Sequence, residues 1–112
     1  MAKPLSLVSC GSYWINLANV VFVIVHAAAD VEIHTLPGAS LALTGEDAAA
    51  LLEVLAGQDV LEQFGMYWIN LANVVYVSGD ASACAVRVVS GANIPLTGED
   101  AAAFMALLEK QA

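Results

Sequence analysis

The stretch Tyr13-Trp-Ile-Asn-Leu-Ala-Asn-Val-Val21 decides the fold, because it occurs a second time without change at residues 67–75. Another block, Leu43-Thr-Gly-Glu-Asp-Ala-Ala-Ala50, occurs again at residues 96–103. Two identical blocks in the same order indicate a tandem duplication. A unit of about 50 residues forms only a marginal core by itself, so we expect the two copies to share one core. The prediction is a single domain over residues 1–112, with a first repeat at 5–57 and a second at 58–112.

Four strands are predicted in each repeat, because apolar and polar residues alternate between turn residues. Pro95, in the last strand of the second repeat, lacks a backbone donor and therefore favours an edge strand or a bulge. The linker 58–65 could add an opening strand to the second repeat, as residues 5–9 could to the first. The expected strands include residues 13–17, 20–25, 31–36 and 40–43 of the first repeat, and 74–77 and 84–89 of the second.

A helix is predicted at the end of each repeat. Thr44 and Thr97 are the expected N-caps, and Asp47 and Asp100 follow three residues later in a capping-box-like arrangement. Apolar residues then recur at helical spacing, which predicts one buried face for each helix. The fold class is therefore expected to be α+β. It would consist of two tandem ββββα repeats packed about a pseudo-two-fold axis, with antiparallel sheets each covered by one helix.

Apolar residues make up 60% of the chain, compared with about 45–50% in an average soluble domain. Residues 20–25 are apolar at every position, so both faces of this strand are apolar. One helix can cover only one of these two faces. We therefore predict a homodimer or higher homo-oligomer, and a protein partner is a further candidate. The candidate interface residues are Phe22, Val23, Tyr76, Val77, Trp14 and Trp68.

The two tryptophans occupy equivalent positions in the repeats, and three interpretations of them stay open. Trp14 and Trp68 could pack in the shared core, anchor a protein interface or stack on a ligand or nucleic acid base. Asn16 and Asn70, on the same side of their strands, could fix the strand register through hydrogen bonds.

The net charge of −8, from 11 acidic and only 3 basic residues, speaks against nucleic acid as a partner. It also speaks against an anionic membrane surface. Polar residues interrupt the apolar N-terminal region, so we expect no membrane span and a cytoplasmic protein. Cys10 and Cys84 are expected to be reduced, buried thiols, although the sequence leaves a disulfide open.

No pattern predicts catalytic residues, a metal site or a cofactor. His26 and His34 flank an expected hairpin near Asp30 and Glu32, a set too small to specify metal coordination. Glu46, like its equivalent Glu99, lies in the first turn of a helix, where acidic residues are stabilising. Thr44-Gly45 lacks the glycines and lysine of a phosphate-binding loop.

The predicted order of elements resembles two families. Two curved-sheet units, each closed by a helix, resemble the PC4/PUR/Whirly-like group of single-stranded-DNA-binding domains, in topology alone. The pattern between Tyr67 and Leu108 is similar to that of small bacterial FlbD-like proteins. It consists of a tyrosine, an asparagine, an aliphatic strand, a glycine turn and a terminal helix. The PC4/PUR/Whirly-like resemblance implies single-stranded DNA binding, which the scarcity of basic residues opposes.

The sequence thus predicts a non-enzymatic, self-associating interaction or structural protein. The alternative is a single-stranded nucleic-acid-binding or transcription-associated module of the PC4/Whirly-like kind.

Overall fold

The computed structural model describes residues 7–36 and 38–111. Lys3 and the first two residues of the predicted first repeat lie outside the described residues. We call residues 7–57 the first half and residues 58–111 the second half. The first half contains β1 (Leu7–Cys10), β2 (Tyr13–Asn16), β3 (Val20–Ala27), β4 (Asp30–Thr35), β5 (Ala39–Thr44) and α1 (Gly45–Ala56). The second half contains β6 (Leu61–Phe64), β7 (Tyr67–Asn70), β8 (Val74–Gly79), β9 (Ala83–Val88), β10 (Asn93–Thr97) and α2 (Gly98–Gln111).

The α+β class is confirmed, with two helices and three antiparallel sheets in the described chain. The ββββα order is wrong, because five strands precede each helix. The extra strands are β1 and β6, which correspond to the opening strands suggested for residues 5–9 and 58–65 and form hairpins with β2 and β7. Glycines in the left-handed region, Gly11 and Gly65, form the two hairpin turns.

The sheets do not follow the boundaries of the repeats. The central sheet has the order β5-β4-β3-β7-β6, so three of its strands come from the first half and two from the second. Outside it lie the β1–β2 hairpin and a three-stranded sheet of order β10-β9-β8. The pseudo-two-fold packing is not confirmed, since β3 pairs with β7 whereas the equivalent strands β8 and β2 form no pair among the described residues. Pro95 lies in edge strand β10, as predicted.

The duplicated stretch adopts the same local structure in both halves. After β2, residues Leu17–Asn19 form a 3-10 turn whose Ala18 N–H donates to Oδ1 of Asn16 at 3.0 Å. Asn70 caps the equivalent turn after β7 in the same way, at 3.1 Å. Asparagine suits this position because its side chain bonds the backbone two residues later.

Two apolar cores lie on opposite faces of the central sheet. The first core joins α1, the β1–β2 hairpin and one face of the sheet, and it contains Val23. The second core joins α2, the three-stranded sheet and the other face, and it contains Phe22. Both faces of β3 are therefore covered within one chain. The expectation that Phe22 or Val23 points outward to a partner is wrong, because both side chains are buried.

The helices begin at the predicted places, but the capping chemistry differs. Thr44 occupies the N-cap of α1 in an extended conformation, yet its side chain makes no capping hydrogen bond. Asp47 instead accepts a hydrogen bond from the Ser12 N–H at 2.9 Å, which fastens the β1–β2 turn to α1. In the second half, Asp100 lies against Gly65 of the equivalent turn. The Asp47 carboxylate therefore holds α1 and the β1–β2 hairpin together in addition to facing the positive end of the helix.

Candidate functional site

An open groove beside Trp14 combines an exposed aromatic ring with polar groups. Its volume is about 270 Å³, and it lies where β2 faces the β4–β5 hairpin. The residues that line it are Trp14, Ile15, Asn16, Asn19, Ile33, Thr35, Leu36, Ala39, Ser40 and Leu41. None of these side chains carries a charge at neutral pH, in a chain whose net charge is −8.

The alternation of β2 places Trp14 at the groove. Ile15 is buried in the first core, so its neighbour Trp14 points outward and is 69% exposed. Trp68, at the equivalent position of β7, is half-buried and packs against the first core. The structure therefore does not bring Trp14 and Trp68 together as an exposed pair.

The groove offers a flat aromatic face next to neutral hydrogen-bonding groups. The Asn19 carbonyl already accepts from the Leu36 N–H at 2.9 Å, which holds the β3 entrance against the end of β4. The side-chain Oδ1 of Asn16 accepts from the Ala18 N–H and so is used in capping its own turn. The Thr35 hydroxyl donates to the Ala39 carbonyl at 3.4 Å and keeps only its acceptor capacity. The Ser40 hydroxyl, the Thr35 hydroxyl oxygen and the Trp14 ring therefore remain the main recognition elements. This arrangement can stack a planar ring or cover an apolar side chain.

Strand β8 carries a second exposed apolar surface. Val75 is 57% exposed and Tyr76 is 52% exposed, whereas Val77 is half-buried against the second core. Arg87 on the neighbouring strand donates from Nε to the Tyr76 hydroxyl at 3.4 Å and from Nη1 to the Gly91 carbonyl at 2.6 Å. The Arg87 guanidinium is therefore occupied within its own sheet.

The structure brings together His26, His34 and Glu32 on one face of β3 and β4. Nε2 of His34 lies 2.6 Å from one carboxylate oxygen of Glu32, and Nε2 of His26 lies 3.4 Å from the other. Hydrogen bonds from His26 and His34 lower the pKa of Glu32. His34 also stacks on Phe22, with ring centroids 4.3 Å apart. Among the described residues no group of three or more potential ligands is arranged to hold a metal ion.

Cys10 and Cys84 are free and buried, Cys10 in the first core and Cys84 in the second. Burial raises the pKa of both thiols, and the nearby Asp80 carboxylate contributes at Cys84. Raised pKa values keep thiols protonated and weakly nucleophilic. Both cysteines therefore act as small apolar core residues.

Basic side chains are scattered over the described chain, which contains Arg87 and Lys110 and no other lysine or arginine. Lys110 lies near the end of α2, beside a shallow surface depression that Glu62 also lines. These two cations therefore provide no basic patch. In residues 7–36 and 38–111, neither helix has the length and apolarity that crossing a membrane requires.

Sequence reasoning singled out Trp14 but missed Thr35, Leu36 and Ser40, which line the same groove. These residues lie at the β4–β5 turn, far from Trp14 along the chain. Only the packing of the β1–β2 hairpin against the end of the central sheet brings them together. The polar and turn residues around Gly38 could have predicted an exposed loop next to an edge strand.

No family model matches this chain, and no curated protein matches it in sequence. Its structure is similar to the LytTr DNA-binding domain of a methyl-accepting/DNA response regulator from Bacillus cereus. The TM-score is 0.64 at 16% sequence identity, and the match covers 96% of this chain and 98% of the other. At that identity the likeness shows the fold alone.

This match corrects the predicted PC4/PUR/Whirly-like resemblance, because the LytTr fold is a different one and it accounts for nearly the whole chain. The sequence interpretation went wrong by counting four strands in each repeat and giving each repeat its own sheet. The FlbD-like resemblance gains no support from the comparisons.

Proposed function

We propose that this chain is a non-enzymatic DNA-binding module. The observation that carries the proposal is the end-to-end likeness of its fold to a LytTr DNA-binding domain, at 96% and 98% coverage of the two chains. Fold likeness alone does not transfer function, so the proposal also depends on a surface suited to the ligand.

The groove beside Trp14 is the surface we assign to nucleic acid. An exposed tryptophan can stack on a base, which contributes about 1–3 kcal/mol per base. The neighbouring Ser40 hydroxyl can donate to phosphate oxygens or to base acceptors, and the Thr35 hydroxyl oxygen, whose proton goes to the Ala39 carbonyl, can accept from base donors. No charged side chain lines the groove, so the lining itself does not repel phosphate.

The mode of binding must be short-range, because the chain has few cations. Arg87 is occupied by Tyr76 and Gly91, and Lys110 lies near Glu62. With 3 basic residues in the sequence, at most about three phosphates can be neutralised. The logarithm of affinity should therefore fall with the logarithm of salt concentration with a slope no steeper than about −2 for a single strand. A DNA-binding role would place the protein in the cytoplasm.

Fluorescence anisotropy with labelled oligonucleotides of about 12 nucleotides, single- and double-stranded, tests the proposal. We expect saturable binding with a shallow salt dependence, and a loss of about tenfold in affinity for Trp14→Ala. Val60→Ala is the matched control, since Val60 is an exposed apolar residue outside the groove. The proposal is wrong if neither oligonucleotide binds at low salt, or if Trp14→Ala binds as well as the wild type.

A protein-interaction module is the second candidate. The net charge of −8 favours it, because self-repulsion opposes approach to a phosphate backbone but does not oppose burial of neutral strand edges. A chain that fails to bind either oligonucleotide but captures a protein strand at β2 or β8 would support this candidate over DNA binding.

A further inference from the structure

The two halves of the chain are joined by antiparallel pairing of β3 with β7. Phe22 lies opposite Ile69, Val23 opposite Trp68 and Ile24 opposite Tyr67. The Val25 N–H extends the ladder by donating to the Met66 carbonyl at 2.7 Å. This pairing buries Val23 and Phe22 on opposite faces of the central sheet.

The chain contains a second copy of each of these strands. Strand β2 has the same sequence as β7, and the first four residues of β8 differ from those of β3 only in having Tyr76 where β3 has Phe22. Both strands also have the same irregularity of pairing, after Val20 in β3 and after Val74 in β8. Two strands that already recognise each other inside the chain are therefore present again.

Strands β2 and β8 each keep one free edge. Within the described chain, β2 pairs with β1 and β8 pairs with β9, and neither has a second partner strand. Neither strand carries a charged residue or a proline, the features with which proteins commonly protect an exposed edge. An unprotected edge with free backbone donors and acceptors is a site for pairing with another strand.

The side chains of the free strands show which faces lack a cover. Val75 and Tyr76 are more than half exposed, whereas their equivalents Val21 and Phe22 are buried beneath the second half. Trp14 is largely exposed, whereas Trp68 packs on the first core. The second half of the chain covers Val21 and Phe22 of β3, and the first half covers Trp68 of β7. Among residues 7–36 and 38–111, no element provides the corresponding cover for β8 and β2.

We propose that β8 of one chain pairs with β2 of a second copy, in the register that β3 and β7 use. Tyr76 would lie opposite Ile15 of the second copy, Val77 opposite Trp14 and Ser78 opposite Tyr13. The second copy is the occupant that the structure specifies, because the strand that binds β3 inside the chain has the sequence of β2. This surface is distinct from the buried Phe22 and Val23.

The association is heterologous, so every added chain leaves one free β8 and one free β2. Assembly therefore proceeds head to tail and yields open chains, or rings if the rotation closes. Each chain carries a net charge of −8, so repulsion opposes growth and salt screening favours it. This salt dependence is opposite in sign to that of DNA binding, so it distinguishes the two interactions even though both use Trp14.

Sedimentation velocity over a range of protein and salt concentrations tests this proposal, with one variant for each edge. Tyr76→Lys blocks β8 and leaves β2 intact, while Trp14→Lys blocks β2 and leaves β8 intact. Both residues are exposed, so circular dichroism should show folded variants. We expect oligomers for the wild type that grow with salt, and monomers for each variant alone. An equimolar mixture of the two variants should form a dimer and nothing larger, because only one productive pair of edges remains.

Val60→Lys, which places a charge on an exposed apolar residue outside both strands, is the control and should associate like the wild type. A symmetric dimer through one edge would give a different pattern, since only one of the two edge variants would be monomeric. That pattern overturns the proposal. So do a wild type that stays monomeric at high micromolar concentration in high salt, and a mixture of variants that stays monomeric.

Discussion

Strands β3 and β8 begin with nearly the same residues and meet opposite fates. In β3, Val21 and Phe22 are 0% and 4% exposed, while in β8 their equivalents Val75 and Tyr76 are 57% and 52% exposed. Both strands pair with the strand that follows them, and both pack one face on a helix-containing core. The difference is that β3 has β7 on its other edge and the second core beneath it.

This comparison separates what a strand sequence determines from what its neighbours determine. The duplicated stretch specifies hairpin, turn and strand in both halves, because these depend on local hydrogen bonds and alternation. Burial depends on whether another half lies against the strand. A tandem pair has one internal junction, so equivalent faces remain open at its two ends, as in the terminal units of repeat proteins.

The largest effect should come from truncating the equivalent aromatic residues. Phe22→Ala removes a ring buried in the second core, and we expect a loss of about 3–5 kcal/mol of unfolding free energy. Tyr76→Ala removes an exposed ring and should cost less than about 1 kcal/mol. Urea denaturation of dilute protein measures both. Equal losses would show that the two strands are covered alike and that the comparison fails.

The next effect concerns the asparagines of the duplicated stretch. Asn70 is buried and donates from Nδ2 to the Val20 carbonyl at 3.1 Å, linking the two halves. Asn16 caps its own turn and is half-buried. Asn70→Ala should cost about 1–3 kcal/mol, because it leaves a buried carbonyl with one donor fewer. Asn16→Ala should cost about 1 kcal/mol, as for a lost cap. The same denaturation assay decides the order, and a larger loss for Asn16 would contradict it.

A smaller effect separates the two roles at the start of α1. Asp47→Ala removes the hydrogen bond to the Ser12 N–H and should cost about 0.5–1.5 kcal/mol. Thr44→Ala should change stability by less than about 0.5 kcal/mol, because the Thr44 hydroxyl makes no capping hydrogen bond. Thermal melts of the two variants should therefore differ by a few degrees. A greater loss for Thr44→Ala would restore the capping interpretation from the sequence.

The smallest effect is a pH dependence confined to the first half. The histidine hydrogen bonds hold the pKa of Glu32 below its ordinary value, so this carboxylate stabilises the fold above that value, about 4.3 for glutamate. The stabilisation is lost as the pH falls through the lowered pKa of the folded state. Glu32→Gln should flatten the fall in melting temperature below about pH 4.5, by a small amount since the group is partly exposed. Identical pH profiles for variant and wild type would remove Glu32 from the account.

Much of the local structure was predictable from the sequence. The helix starts after Thr44 and Thr97 follow from their capping residues, and the central strands follow from alternation. The edge position of Pro95 follows from the backbone donor that proline lacks. The pairing of β3 with β7 was not predictable, because both β7 and β2 carry the strand sequence that fits it. Choosing between them depends on chain connectivity and on how α1 and α2 pack.

The exposure of Trp14 was not predictable for the same reason. Trp14 and Trp68 have identical neighbours along the chain, so no local pattern distinguishes a core residue from a surface one. The acidic composition likewise pointed away from nucleic acid, whereas the fold is similar to that of a LytTr DNA-binding domain. Composition reports the average surface, and the uncharged groove beside Trp14 is a local exception to it.

The central claim is that the second half of the molecule covers β3 of the first half, whereas its own equivalent strand, β8, stays exposed. Acrylamide quenching of tryptophan fluorescence in Trp68→Phe and Trp14→Phe, each with a single remaining tryptophan, tests this most directly in dilute solution. We expect Trp14 to emit at longer wavelength and to be quenched several-fold more strongly than Trp68. Equal emission and equal quenching of the two tryptophans would contradict the account.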